Sequence, residues 1–273
     1  MTKKDKYKRP WNEFAQKYLD ETAPSTPSKD EIKIINQYIN KILKKNKRPE
    51  VLILGCTTNY RKPLAKRGIA TTMVDISKDM YDANTSALKG MKRKEKFVKG
   101  NWLTFNLKKK FDLILADYSI NNVPYKDRDK MYKNTLKHLK EDGIVIIRYY
   151  HQPKKQSKQK ALKYYKNKKM SRKYITYLWW DALTHFSLDV KKNTLRNVKA
   201  YKELKKEAVK CPWMKKWIKN YEKKIPLEDK EWVIIPKEKQ EKEAARYFKI
   251  IAIKYAKGYK YCDYTPTYIL TRT

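Results

Sequence analysis

The sequence predicts an α/β fold: a doubly wound, mostly parallel sheet with a C-terminal antiparallel hairpin and a helical insertion. Three observations carry this. Short apolar runs alternate with amphipathic stretches over residues 30–150, and each run ends at a glycine or a charged side chain. Five of the six glycines (Gly55, Gly68, Gly90, Gly100 and Gly143) fall in that stretch, where they mark turns in a glycine-poor chain. Beyond it the rhythm gives way to long helical segments, and the strand pattern returns only near the C-terminus.

Taken in order, residues 1–30 are basic and then rich in Pro, Ser and Thr, and read as an arm. Asp30 is expected to cap a helix whose apolar face carries Ile32, Ile35, Tyr38, Ile39, Ile42 and Leu43. The core, residues 31–151, holds four apolar runs. Val51–Leu54 ends at Gly55, Thr71–Val74 at Asp75, Phe111–Ala116 at Asp117, and Ile144–Ile147 at Arg148. A short strand is expected around Lys96–Val98, and helices over Lys62–Arg67, Lys78–Leu88 and Asp127–Leu139. Residues 152–245 form a basic helical insert, in which one helix is expected over Asn193–Lys210. Residues 246–273 close the core as a hairpin, with Phe248–Tyr255 alternating before a turn at Gly258 and a partner strand at Thr267–Leu270.

The charge narrows the function classes. The 273 residues carry 67 Lys and Arg against 29 Asp and Glu, a net +38, and only 11 of the basic residues are Arg. Such a surface attracts polyanions. A lysine excess also fits an AT-rich coding composition, and a surface built for phosphate recruits more Arg. Residues 151–246 hold 28 basic and 11 acidic residues, so the insert is denser in charge than the rest. Three scattered cysteines (Cys56, Cys211, Cys262) and three histidines lack the spacing of a disulfide framework or a zinc site, and suit a reducing, cytoplasmic setting. No apolar run is long enough to span a bilayer, and Met1–Pro10 has no apolar signal region, so an unexported protein without a membrane partner is expected.

In an open parallel sheet the strand ends bind ligands. Four features gather there. Gly55-Cys56-Thr57-Thr58 follows the first strand, where glycine lets backbone approach a ligand. Asp75 ends the second strand, placed for ribose hydroxyls. Gly100-Asn101-Trp102 offers an amide and an aromatic face to a base, and Asp117 could take an ammonium. Together they outline a nucleoside joined to an amino acid.

On these residues the sequence resembles the class I (Rossmann-like) S-adenosylmethionine-dependent methyltransferases over about Pro49–Tyr150. The segments that carry the resemblance are VLILGCTTNYRKPLAKRG, VDISKDM, GNWLTF, FDLILADYSINNVP and LKHLKEDGIVIIR. The resemblance implies S-adenosylmethionine as cofactor, no metal, and a cofactor site of Gly55, Cys56, Thr57, Asp75, Ile76, Met80, Asn101, Trp102 and Asp117. The family's acid-x-Gly-x-Gly-x-Gly loop reads Ile53, Gly55, Thr57 and Asn59 here, so side-chain hydroxyls replace two glycines.

A sulfonium methyl is already a strong electrophile, so such an enzyme mainly aligns the acceptor. Tyr118, Tyr149 and His151, just past the strand ends, are the candidates for acceptor contact or catalysis. The acceptor expected from charge is RNA or another polyanion, reached through Lys154, Lys155, Lys158, Lys160, Lys163, Lys166, Lys168 and Lys169, with a small molecule next. The alternative is a non-catalytic nucleic-acid-binding or accessory protein that keeps the fold. Trp179, Trp180, Trp213 and Trp217 read as core or lid packing of the insert.

Overall fold

The computed structural model describes Trp11, Phe14, Ala15, Lys17 and residues 22–273. The rest of the arm read from residues 1–30 lies outside the described residues.

Helix α1 (Lys29–Lys45) leads into β1 (Glu50–Leu54), α2 (Thr58–Lys66), β2 (Ala70–Asp75), α3 (Lys78–Ser86) and β3 (Glu95–Lys99). Then come β4 (Phe111–Asp117), α4 (Arg128–Lys137) and β5 (Leu139–Arg148). The strands β8 (Lys249–Lys254) and β9 (Thr267–Thr271) complete a seven-stranded sheet of order β3-β2-β1-β4-β5-β9-β8. Strands β1 to β5 run parallel, while β9 is antiparallel to both β5 and β8. The strand order reverses between β1 and β4, so the loops after these two strands diverge and leave a crevice at the C-terminal edge.

Strand alternation explains the two layers. Val51, Ile53, Met73, Leu113, Leu115 and Ile146 pack against Ile35 and Ile39 of α1. Leu52, Leu54, Ile114, Ala116 and Ile147 face the other way, toward Met131 and Tyr132 of α4. Each apolar side chain so buried contributes about 1.5–3 kcal/mol before entropy is charged against it.

Several boundaries differ from expectation, each for a physical reason. The first helix is capped by Ser28 in place of Asp30. Ser28 Oγ accepts from the Glu31 amide at 3.2 Å, and the Ser28 amide donates to Glu31 Oε2 at 2.6 Å, a reciprocal cap. Helix α4 stops at Lys137 because Leu139 already pairs with Phe111 in the sheet. Gly143 is required within β5, since a Cβ there would stand 2.7 Å from Leu139 Cδ1.

The insert holds α5 (Lys158–Lys163), α6 (Arg172–Asp181), a π-helical turn (Ala182–Ser187), α7 (Asn197–Val209), α8 (Lys215–Lys224) and α9 (Lys237–Ala245). It also contains a two-stranded antiparallel sheet of β6 (Thr194–Arg196) and β7 (Glu231–Val233), where only helix was expected from Asn193. The two strands lie far apart in sequence, so local periodicity carries no trace of the pairing. Among the described residues, no helix is long and apolar enough to cross a membrane.

Candidate active site

The crevice at the strand ends opens into two hollows. The first, of about 190 Å³, is bordered by Asp75, Ile76, Met80, Gly100, Asn101, Trp102, Leu103 and Lys230 among others. The second, of about 110 Å³, runs from Gly55, Cys56, Thr57 and Asp117 to a wall of Tyr150, Trp179, Trp180 and Trp232. Trp11, Asp75, Met80, Trp102 and Asn122 border both, so the two are lobes of one site.

The fold fixes each group of the first lobe. Gly55 has φ of +116°, a conformation that side-chain-bearing residues rarely adopt. A Cβ there would lie 3.8 Å from Trp102 Cζ2 and 3.9 Å from Asp75 Oδ2, so Gly55 sits between the two groups read as nucleoside contacts. The Trp102 indole donates to Val74 O at 2.7 Å, which pins its ring at the edge of β2. Asp75 Oδ1 accepts from the Ser77 amide at 2.8 Å. Burial pushes its carboxyl up to about 6, against hydrogen bonds from Ser77 and Cys56 and the charge of Lys230. Burial and the adjoining Asp75 likewise push the Cys56 thiol well up. Asn101 uses its Oδ1 to accept from the Leu103 amide at 2.9 Å, shaping its own loop.

Asp117, at the end of β4, belongs to a buried charge cluster. Arg148 Nε donates to it at 2.7 Å, and Arg148 Nη1 lies 3.2 Å from Glu31. The guanidinium also donates to Pro24 O at 2.9 Å and Thr26 O at 3.0 Å, so it fastens residues 24–26 over the sheet edge. Burial raises the Asp117 carboxyl, and Arg148 opposes this. Two carboxyl groups thus share one guanidinium. Asp117 Oδ2 faces Thr57 Oγ1 at 3.4 Å on the cavity side.

The structure brings together Gly55, Cys56, Thr57, Asp75, Ile76, Met80, Asn101, Trp102 and Asp117 around the two lobes. The three acceptor candidates separate. Tyr118 borders the second lobe, with φ of +52° and its ring 4.1 Å under the Arg148 guanidinium, but its hydroxyl donates to Pro24 O at 2.9 Å. Tyr149 points to the opposite face of the sheet, beside Tyr132 and Tyr268. His151 is buried against Tyr268 and borders neither lobe; burial drives its pKa down to about 4, helped by Lys237 and Arg128.

Sequence reasoning missed Tyr150, Trp232, Asn121, Lys230 and the arm residues Trp11 and Phe14, and read Trp179 and Trp180 as packing. One signal was available for Tyr150: it alternates with Tyr149 past the end of β5, so only one of the pair can face the crevice. Asn121 explains how the insert is set against the core, since its amide donates to Tyr150 O at 3.0 Å and Val233 O at 2.8 Å. Of the eight lysines named above, none borders either lobe. Lys155 donates to Leu188 O at 3.0 Å and Lys158 pairs with Glu203 at 2.7 Å, while the others are exposed.

Comparison with known proteins agrees with this geometry. Residues 51–143 match the model of a family described as a methyltransferase domain. The fold is similar to that of the CcbJ methyltransferase of Streptomyces caelestis, with a TM-score of 0.63 at 10% identity over 98% of this chain and 99% of that one. It is similar to the N-methyltransferase NodS of Bradyrhizobium japonicum in complex with S-adenosylhomocysteine, with a TM-score of 0.53 at 11% identity over 96% and 98%. A Rhodobacter sphaeroides protein named after zinc-dependent alcohol dehydrogenases gives 0.62 at 17% identity over 100% of both chains. At such identities the likeness concerns the fold. No curated protein matches the sequence. Residues 51–143 are thus similar to a methyltransferase domain, and the chain shares the fold of such enzymes, whose methyl donor is S-adenosylmethionine.

The residues present fit that cofactor. Gly55 leaves the floor open, Asp75 is a half-buried carboxylate facing a cavity, and Asp117 Oδ2 turns to the second lobe. Asp75 would hold ribose hydroxyls, Met80 and Trp102 would flank the base, and the Gly55–Thr57 loop with Asp117 would hold the amino-acid end. When bound, the group supplies an electrophilic methyl on a sulfonium.

Proposed function

We propose that the chain transfers the methyl group of S-adenosylmethionine to a small molecule seated in the second lobe. The observation that carries this reading is the shared wall of Trp11, Asp75, Met80, Trp102 and Asn122, which opens the cofactor-side loops onto an aromatic chamber. In-line transfer requires the acceptor to approach the methyl from the side opposite sulfur, and an adjoining chamber supplies that approach. The role of the protein is then alignment. The engaged hydroxyl of Tyr118, and the positions of Tyr149 and His151 outside the lobes, support a reaction without a general base from these three. No Lys or Arg borders the second lobe among the described residues, which supports an acceptor without phosphate groups. The three scattered cysteines support, on the same reading, a reducing cytoplasmic setting.

Calorimetry with S-adenosylhomocysteine tests the cofactor half, and absence of binding at millimolar ligand overturns it. Transfer of tritiated methyl into separated small-molecule and RNA fractions of a cell extract tests the acceptor half.

A second reading, RNA as the acceptor, draws on exposed Tyr164, whose ring lies under Lys168 at 5.1 Å and Lys260 at 4.4 Å. An aromatic ring flanked by cations suits a single strand. On that reading, replacing Lys160, Lys163, Lys166 and Lys169 by Gln lowers the salt slope of RNA binding by about four, and label enters the RNA fraction.

A further inference from the structure

The second lobe has a one-sided chemistry. Its far wall is a continuous aromatic shell. Trp180 meets Tyr150 at 4.4 Å and Tyr118 at 5.8 Å between ring centroids. Trp179 meets Trp232 at 6.1 Å and Phe14 at 5.9 Å. The indole N–H groups of Trp179 and Trp180 are already engaged. That of Trp180 donates to Ser25 Oγ at 2.8 Å and that of Trp179 to Asn197 Oδ1 at 2.9 Å. What Trp179 and Trp180 can offer a ligand is therefore electron-rich π surface.

The free polar groups are of one kind as well. Asn122 donates its amide to Tyr118 O at 2.9 Å, which fixes its orientation, and leaves Oδ1 buried with no partner. Ser119 and Asn121 are spent on Leu54 O and on Tyr150 and Val233. Asp117 Oδ2 accepts from Thr57 Oγ1 and stays with the amino-acid end of the cofactor. A chamber of π faces and an orphan carbonyl oxygen suits a cation that carries N–H groups.

Building on the methyltransferase reading, we propose that the second lobe takes an amine, held as its ammonium by the Trp179 and Trp180 ring faces and Asn122 Oδ1, and that its nitrogen receives the methyl. The ammonium first sheds a proton to water. The nitrogen lone pair then forms the N–C bond as the C–S bond breaks, and that pair returns to sulfur. The methylated product is again an ammonium matched to the aromatic wall.

The test uses the full chain saturated with S-adenosylhomocysteine, whose neutral sulfur does not compete for the rings. Choline and its uncharged isostere 3,3-dimethylbutan-1-ol are titrated separately, read by tryptophan fluorescence and calorimetry. Choline is expected to bind about tenfold tighter or more. Trp179→Leu is expected to reduce that ratio. Asn122→Leu is expected to weaken a primary amine, 3-aminopropan-1-ol, more than choline, which has no N–H. Equal or tighter binding of the neutral isostere, or no binding of either probe, overturns the amine assignment and leaves the cofactor reading standing. Failure of S-adenosylhomocysteine itself to bind overturns the methyltransferase reading. Should either variant fail to fold, the ratio in the unmodified protein still decides.

Discussion

Arg148 Nε stands 2.7 Å from the carboxylate of Asp117, and neither side chain is more than 4% exposed. The pair joins the ends of β4 and β5 at the point where the site opens, and the same guanidinium reaches Glu31 and the carbonyls of Pro24 and Thr26. Burial works against the charge on Arg148, but Asp117 and Glu31 outweigh it and hold the guanidinium well above its ordinary value.

Arg148→Met is therefore expected to destabilise the protein by about 3–5 kcal/mol, because two carboxyl groups lose the buried cation they share. Adding Glu31→Gln and Asp117→Asn should recover a large part of the loss. Urea unfolding of the single and triple variants checks this, and a triple variant no more stable than the single would show that packing dominates.

Asp75 trades stability for binding. Its carboxyl titrates near 6 when folded and near 3.8 when unfolded, so the folded state holds the proton more tightly. The resulting penalty is absent below about pH 4, grows as pH rises through 6, and is complete above that, on the order of 3 kcal/mol. Asp75→Asn is expected to stabilise the ligand-free protein at pH 7.5 by that amount and to flatten its pH dependence between 4 and 6. The same variant should weaken S-adenosylhomocysteine by about 2 kcal/mol through loss of charge-assisted hydrogen bonds. Unfolding at pH 5 and 7.5, beside calorimetry, reads both effects.

His151 gives the opposite slope. Its folded pKa near 4 lies below the unfolded value of 6.5, so the neutral ring is favoured on folding. The stability this confers is whole above pH 6.5 and is lost as pH falls through 6.5 toward 4. His151→Gln should lose less stability than the parent over that window, with little change at pH 8. Thermal melts at half-unit intervals would show it.

Gly55→Ala has room for its methyl but not for its backbone, so strain at φ of +116° is expected to cost about 1–3 kcal/mol. Because Gly55 lies between Asp75 and Trp102, cofactor affinity should fall in the same variant. A variant with unchanged affinity would mean that the loop adapts.

How much of this was legible in the sequence depended on range. The strands and the residues at their ends could be read because each is a local signal: an apolar run closed by Gly55, Asp75 or Asp117. The sheet order followed from alternation with helices. Arg148 and Glu31 were visible only as a strand end and a helix residue, since their meeting spans more than a hundred positions. Trp179 and Trp180 carry no mark that tells a chamber wall from a core, for both demand large apolar side chains. Lys230 illustrates the same limit. It sits beside Asp75, 4.3 Å from the Trp11 ring, with burial holding its ammonium down to about 8, yet in sequence it is one lysine among many.

The contacts of Phe14 with Trp179 and Trp232 have a kinetic corollary. They span 165 and 218 positions of the chain, so they are expected to form late, after the intervening chain has ordered. The central sheet nucleates through nearer neighbours. In a refolding experiment, then, sheet signal by far-ultraviolet dichroism should precede the change in indole emission, and the chamber becomes a built-in clock for the last stage of assembly.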